Sequence, residues 1–78
     1  MLNKYFLHNI GQLFKEKNYN EVILKIEQNI KINDRTPDLL NISGVCRLLK
    51  KNNDKKDIIS ALNDFELYYI KTKKIFKK

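Results

Sequence analysis

DRTPDLLNISGVCRLLKKNNDKKDIISALNDF, residues 34–65, is the stretch that decides the fold. Thr36 has the side chain of an N-cap. Pro37 fits the first helical position, where its missing N–H would be unpaired anyway, and Asp38 suits the positive end of the helix dipole. Leu39, Leu40, Ile42, Val45, Cys46, Leu48 and Leu49 leave hardly any polar side, so the helix predicted over 37–51 is covered on more than one flank. In a chain of 78 residues this makes it the middle layer. Gly44 removes a side chain where another backbone is expected to come near. The polar run at 50–56 ends the helix. Asp54 is placed to cap a fourth helix, over 55–73 or beyond, with Asp57 near its first turn. Ile58, Ala61, Leu62, Phe65, Tyr68 and Tyr69 recur as one stripe along that helix. Ile59, Leu67, Ile70, Ile75 and Phe76 fall outside the stripe and lack cover.

The part before residue 34 is a shorter echo. Phe6, Ile10, Leu13 and Phe14 mark one face of a helix over 2–17, flanked by Tyr5 and Leu7. Gly11 lies inside it at a cost of about 1 kcal/mol relative to Ala; close approach of a neighbouring helix is the expected reason. His8 has no second ligand at metal spacing. Asn18 is expected to cap helix 2, with Glu21 answering it in a capping box. Tyr19, Val22, Ile23, Ile26 and Ile30 form the buried stripe of that helix, over 19–32, and Glu21 and Lys25 make a favourable pair four apart. Helices joined by so few residues lie antiparallel.

Composition sets the bounds. A chain this short buries only about 60% of its unfolded surface. Two glycines, one proline and 42% apolar residues exclude a disordered linker. The lone Cys46 makes no internal disulfide, which points to a reducing compartment and a cytoplasmic location. No apolar run approaches the roughly 20 residues of a membrane span, and the first ten residues lack the features of a secretion signal. The net charge is +7, and residues 39–78 hold ten basic and four acidic side chains against six and five in residues 1–38. The excess sits in Lys50, Lys51, Lys55 and Lys56 and in a tail with Lys71, Lys73, Lys74, Lys77 and Lys78.

The halves repeat. Phe6 and Leu13 align with Leu40 and Arg47 at an offset of 34, and Val22-Ile23 with Ile26 aligns with Ala61-Leu62 with Phe65 at an offset of 39. Two helices in about 34 residues resemble the tetratricopeptide repeat family. Leu40 stands for the first apolar position of its motif, Gly44 for the glycine, Ala61 for the first small residue and Phe65 for the aromatic. In the first unit Phe6, Tyr19 and Glu21-Val22-Ile23 match. The departures are Tyr68 at the second small position, Val22 where Ala is usual, and Asp34 where the closing Pro is usual; Pro37 comes three places later.

The resemblance implies an all-α fold: two stacked antiparallel helix hairpins, four helices in all, as a fragment of an α-solenoid. The chain is then a single domain over 1–78, with unit one about 3–36, unit two about 37–73, and a basic tail at 74–78. The first helix of each pair would line a groove for a peptide or partner domain. By position the groove residues are Lys4, Leu7 and Gly11 from helix 1 and Asn41, Val45 and Leu48 from helix 3; for the apolar ones ordinary packing is the simpler reading. Such repeats stack in threes or more, so two units with apolar residues to spare predict self-association through helix 4, docking on a partner, or continuation into a longer protein such as a transferase.

The expected function is therefore a protein-interaction scaffold, non-catalytic by itself. No Gly-rich phosphate loop, metal cluster or Ser-His-Asp set is visible, and no cofactor or metal is expected. The alternative is a small basic nucleic-acid-binding protein using the lysines of the second half. It lacks a glycine-containing turn between its helices and a recognition helix rich in Arg, Asn and Gln.

Overall fold

The computed structural model describes residues 4–76, with side chains for 4–73. The protein is all-α. Four helices run in the order α1 (Lys4–Lys15), α2 (Tyr19–Asn29), α3 (Pro37–Leu49) and α4 (Lys55–Phe76), with a short 3-10 turn at Ile32–Asp34. Among the described residues there is no strand. Each helix packs chiefly on its neighbour in the chain, and the α3–α4 contact is the most extensive. The side chains of the expected tail, Ile75 and Phe76 among them, lie outside the described residues, as does the expected helix start at Leu2.

The helix ends show how local chemistry places these elements. Thr36 Oγ1 accepts from the Leu39 N–H at 3.3 Å, and Pro37 opens α3 as expected. Such a cap contributes about 1 kcal/mol. At α4, the Asp57 N–H donates to Asp54 Oδ1 and the Asp54 N–H donates to Asp57 Oδ2, each at 3.0 Å. This is a reciprocal capping box with aspartate in both roles.

The cap expected at Asn18 does not form: its side chain makes no cap hydrogen bond. The Asn18 N–H instead closes α1 on Leu13 O at 2.9 Å, while the Lys17 N–H closes on Phe14 O at 3.0 Å with Lys17 left-handed at φ 62°. A connection of residues 16–18 is too short to finish one helix with this six-residue closure and also cap the next. It stops α1 at Lys15 rather than at 17.

Helix α2 ends earlier than its apolar pattern suggests. Ile30 is extended, and the buried Arg35 reaches back to give Ile30 O a hydrogen bond from Nε at 3.1 Å. From α4, Lys71 Nζ donates to Asn33 O at 3.0 Å and to Arg35 O at 2.6 Å. Lys71, counted by sequence with the basic tail, is thus a brace between α4 and the α2–α3 turn.

Ile10 of α1, Val22, Ile23 and Ile26 of α2, and Leu39 and Cys46 of α3 form the core cluster. Phe6, Leu13, Phe14, Tyr19, Ile30 and Ile42 pack around its edge. The stripes expected on the first two helices are these residues. Burying an Ile or Leu this fully contributes about 1.5–3 kcal/mol each.

The two glycines separate. Gly44 is buried, and a β-carbon built on it meets the Phe65 ring. The expected close approach is real, but its agent is an aromatic side chain and not a backbone. Gly11 is exposed with nothing within 4 Å of such a carbon, so no helix approaches there.

Helix α4 is turned away from its expected register. Asp57, Ala61 and Asp64 are buried against the fold, while Ile58, Leu62 and Tyr69 of the expected stripe are 45%, 62% and 61% exposed. The cause lies on α3, which offers α4 a strip made of Ser43, Gly44 and Arg47. That strip takes carboxylates and one ring rather than branched aliphatics.

Candidate interaction surfaces

The α3–α4 seam holds most of the polar chemistry. Ser43 Oγ donates to Asp64 Oδ2 at 2.8 Å, with Ser43 fully buried and Asp64 nearly so. The Arg47 guanidinium lies between three carboxylates: Nη2 bonds Glu27 on α2, Nη1 is 3.7 Å from Asp57 Oδ1, and Nε is 3.6 Å from Asp64 Oδ2. Lys50 Nζ pairs with Asp57 Oδ2 at 3.0 Å. Asp57 is held below the ordinary carboxylate range, first by the Lys50 hydrogen bond. Asp64 is pushed above it by burial, against the pull of Ser43 and Arg47. Burial raises the Cys46 thiol to about 11, so the sulfur stays protonated and unreactive at neutral pH.

This network joins α2, α3 and α4, and of its residues Lys50 alone lines one of the hollows described below. The network fixes how α4 sits. Asp64 is buried although it lies outside the apolar stripe expected of this helix. A signal was present: Asp57 and Asp64 are seven apart, two turns along one face, opposite Ser43 and Arg47, four apart. An arginine inside an apolar helix asks for such partners.

The six groove candidates all lie outside the fully buried core. Lys4, Leu7 and Gly11 are exposed on α1; Asn41 and Leu48 are exposed on α3, where Val45 is half-buried. Gly11 lines a shallow hollow with His8, Gln12 and Lys15, all from α1 itself. A larger hollow brings the α1–α2 turn against the end of α3: Lys17, Tyr19 and Glu21 on one side, Leu49, Lys50 and Lys51 on the other. Sequence reading did not bring these two turns together.

Among the described residues, α4 exposes more large apolar side chains than any other helix, most of them on its outer side. Ile58, Ile59, Leu62, Tyr69 and Ile70 are 45–62% exposed along one flank. Lys73 Nζ stands 5.7 Å from the Tyr69 ring. Among the described residues no helix is long and apolar enough to cross a membrane, and no three His, Cys, Asp or Glu side chains are grouped to hold a metal ion.

Comparison of the chain with protein-family models, with curated proteins and with solved structures finds no match.

Proposed function

We propose that this chain is a protein-interaction module of the tetratricopeptide kind, two nested helix hairpins with no catalysis of their own. One observation carries the reading: α4 meets α3 through a buried Ala61 and a Phe65 ring seated on Gly44. These three residues stand at the small, aromatic and glycine positions of the repeat. In this reading a partner peptide runs along the first helix of each hairpin, against Lys4, Leu7 and Gly11 of α1 and Asn41, Val45 and Leu48 of α3. All but the half-buried Val45 are exposed, which agrees with such a path. A cytoplasmic setting agrees with a single, buried, protonated thiol.

The nucleic-acid alternative loses ground on two lysines. The charge of Lys50 is matched by Asp57, and the Lys71 ammonium is held on two carbonyls of the α2–α3 turn, so neither is free to reach out to a phosphate backbone.

Affinity capture on the immobilised chain, compared with a Leu7→Ser/Leu48→Ser variant, tests the proposal. A protein retained by the first, lost from the second, and bound again when purified is the expected result. Recovery of no partner, with the chain a monodisperse monomer, would sink it. A salt-sensitive gel shift would move the assignment to nucleic acid.

A further inference from the structure

We infer that the outer flank of α4 is a second docking strip, and that its occupant is an acidic amphipathic helix of another protein. The inference rests on the reading of the chain as an interaction module but places binding on a surface distinct from the α1 and α3 groove residues. Ile58, Ile59, Leu62, Tyr69 and Ile70 fall within about a third of the helix circumference, at 100° per residue. They are exposed because the carboxylates of Asp57 and Asp64 have taken the inward side. A helix that buries its aspartates and exposes its isoleucines contradicts its own local pattern, and such conflicts concentrate at functional surfaces.

Charge selects the occupant. Lys55 precedes the strip and Lys73 follows it, both exposed, in a half of the chain that carries ten basic and four acidic residues. A partner helix with apolar residues at i, i+3, i+4 and i+7 and glutamates on its flanks would match the aliphatic strip and meet the lysines at its ends. A second copy fits less well. Antiparallel pairing of two α4 strips centred on residue 64 sets Ile58 against Ile70, but it also sets Lys55 against Lys73 at both ends and Glu66 against Leu62, between two bodies each at +7. A bilayer fits less well too, because Glu66 lies within the strip, between Leu62 and Ile70, and would enter the apolar layer with them.

The test uses the whole chain, nitrogen-15 labelled, titrated with two synthetic helical peptides. Both carry leucine at i, i+3, i+4 and i+7; one is flanked by glutamate and the other by lysine. The glutamate peptide should shift the amides of Ile58, Ile59, Leu62, Tyr69 and Ile70. It should bind at least tenfold more tightly than the lysine peptide, and lose at least tenfold on Leu62→Ser, a change at an exposed position that leaves the fold intact. Equal binding of the two peptides overturns the inference. So does binding confined to Leu7, Asn41 and Leu48, an outcome that leaves the interaction reading standing. Binding of neither peptide overturns the strip, and the affinity capture described above then decides separately whether the module reading survives. A dimer abolished by Leu62→Ser replaces the partner helix with a second copy, and phosphatidylglycerol vesicles shifting the same amides replace it with a membrane surface.

Discussion

A β-carbon on Gly44 would stand 2.7 Å from both Cε1 and Cζ of the Phe65 ring. The two residues are 21 apart in sequence, and their fit sets the distance between α3 and α4. Gly44→Ala should therefore destabilise the protein by about 1 kcal/mol: the ring must leave its seat, and this outweighs the roughly 1 kcal/mol that alanine returns in helix propensity. In a Phe65→Ala background only the propensity remains, and the same change should stabilise by about 1 kcal/mol. Urea melts of the four proteins measure both. An equal effect in the two backgrounds would show that ring and glycine are not coupled.

Gly11 and Lys17 stand in each other's natural places. Gly11 occupies an open helix interior with nothing near it, and Lys17 holds a left-handed φ of 62° at the end of that helix. Gly11→Ala and Lys17→Gly should each stabilise by about 1 kcal/mol and raise Tm by roughly 4–8 °C. Thermal melts followed by circular dichroism give the values, and a drop in either would contradict the open site or the strained turn.

Asp57 and Asp64 act on stability with opposite signs as pH falls. The folded pKa of Asp57 is lowered, so its contribution is complete above its ordinary 3.8 and is lost as pH falls below that through the folded value. The folded pKa of Asp64 is raised, so the native state takes up this proton first, and stability is gained as pH falls through the folded value toward 3.8. Urea midpoints taken from neutral pH to about pH 3 should show Asp64→Asn without the gain above 3.8 and Lys50→Met with less of the loss below it. Curves that superimpose on the parent would refute both assignments.

Arg47 neutralises carboxylates that α4 has buried. Arg47→Met should cost about 3 kcal/mol or more at neutral pH, because Asp64 loses its nearer cation and keeps only the Ser43 hydrogen bond and the charge of Arg35 against its burial. Adding Asp64→Asn should restore part of that loss. Chemical denaturation of the single and double variants decides; no recovery in the double would mean that packing, not charge, holds this seam.

The Cys46 thiol, buried and raised to about 11, should resist Ellman's reagent in the native protein. Its labelling rate should climb with urea in step with the loss of helix. Rapid labelling without denaturant would show that the α2–α3 interface opens locally.

Much of this fold was legible. Phe6, Ile10, Leu13 and Phe14, and then Val22, Ile23 and Ile26, declare their buried faces through spacing, and Thr36-Pro37 and Asp54 mark helix starts by side-chain chemistry that needs no distant partner. The α4 face was not legible. Its apolar stripe reads inward, yet Leu62 points to water because Ser43, Gly44 and Arg47 on another helix set what α4 can bring. Asn18 misled for a similar reason: the same short turn had first to close α1. Of the candidate surfaces, the residues Lys4, Leu7, Gly11, Asn41, Val45 and Leu48 came from the repeat alignment, while the exposed strip on α4 came only with the fold.

The amino-acid sequence by itself determined that this protein is all-α, where α2, α3 and α4 begin, and which sides of the first two helices are apolar. Those properties depend on contacts within one or two turns of chain. Only the tertiary structure decided the rotation of α4, the pairing of Phe65 with Gly44, and the use of Arg35, Arg47 and Lys71 as internal braces. Each of these is a contest between partners on different segments, won by desolvation and charge pairing across a seam rather than by any local preference.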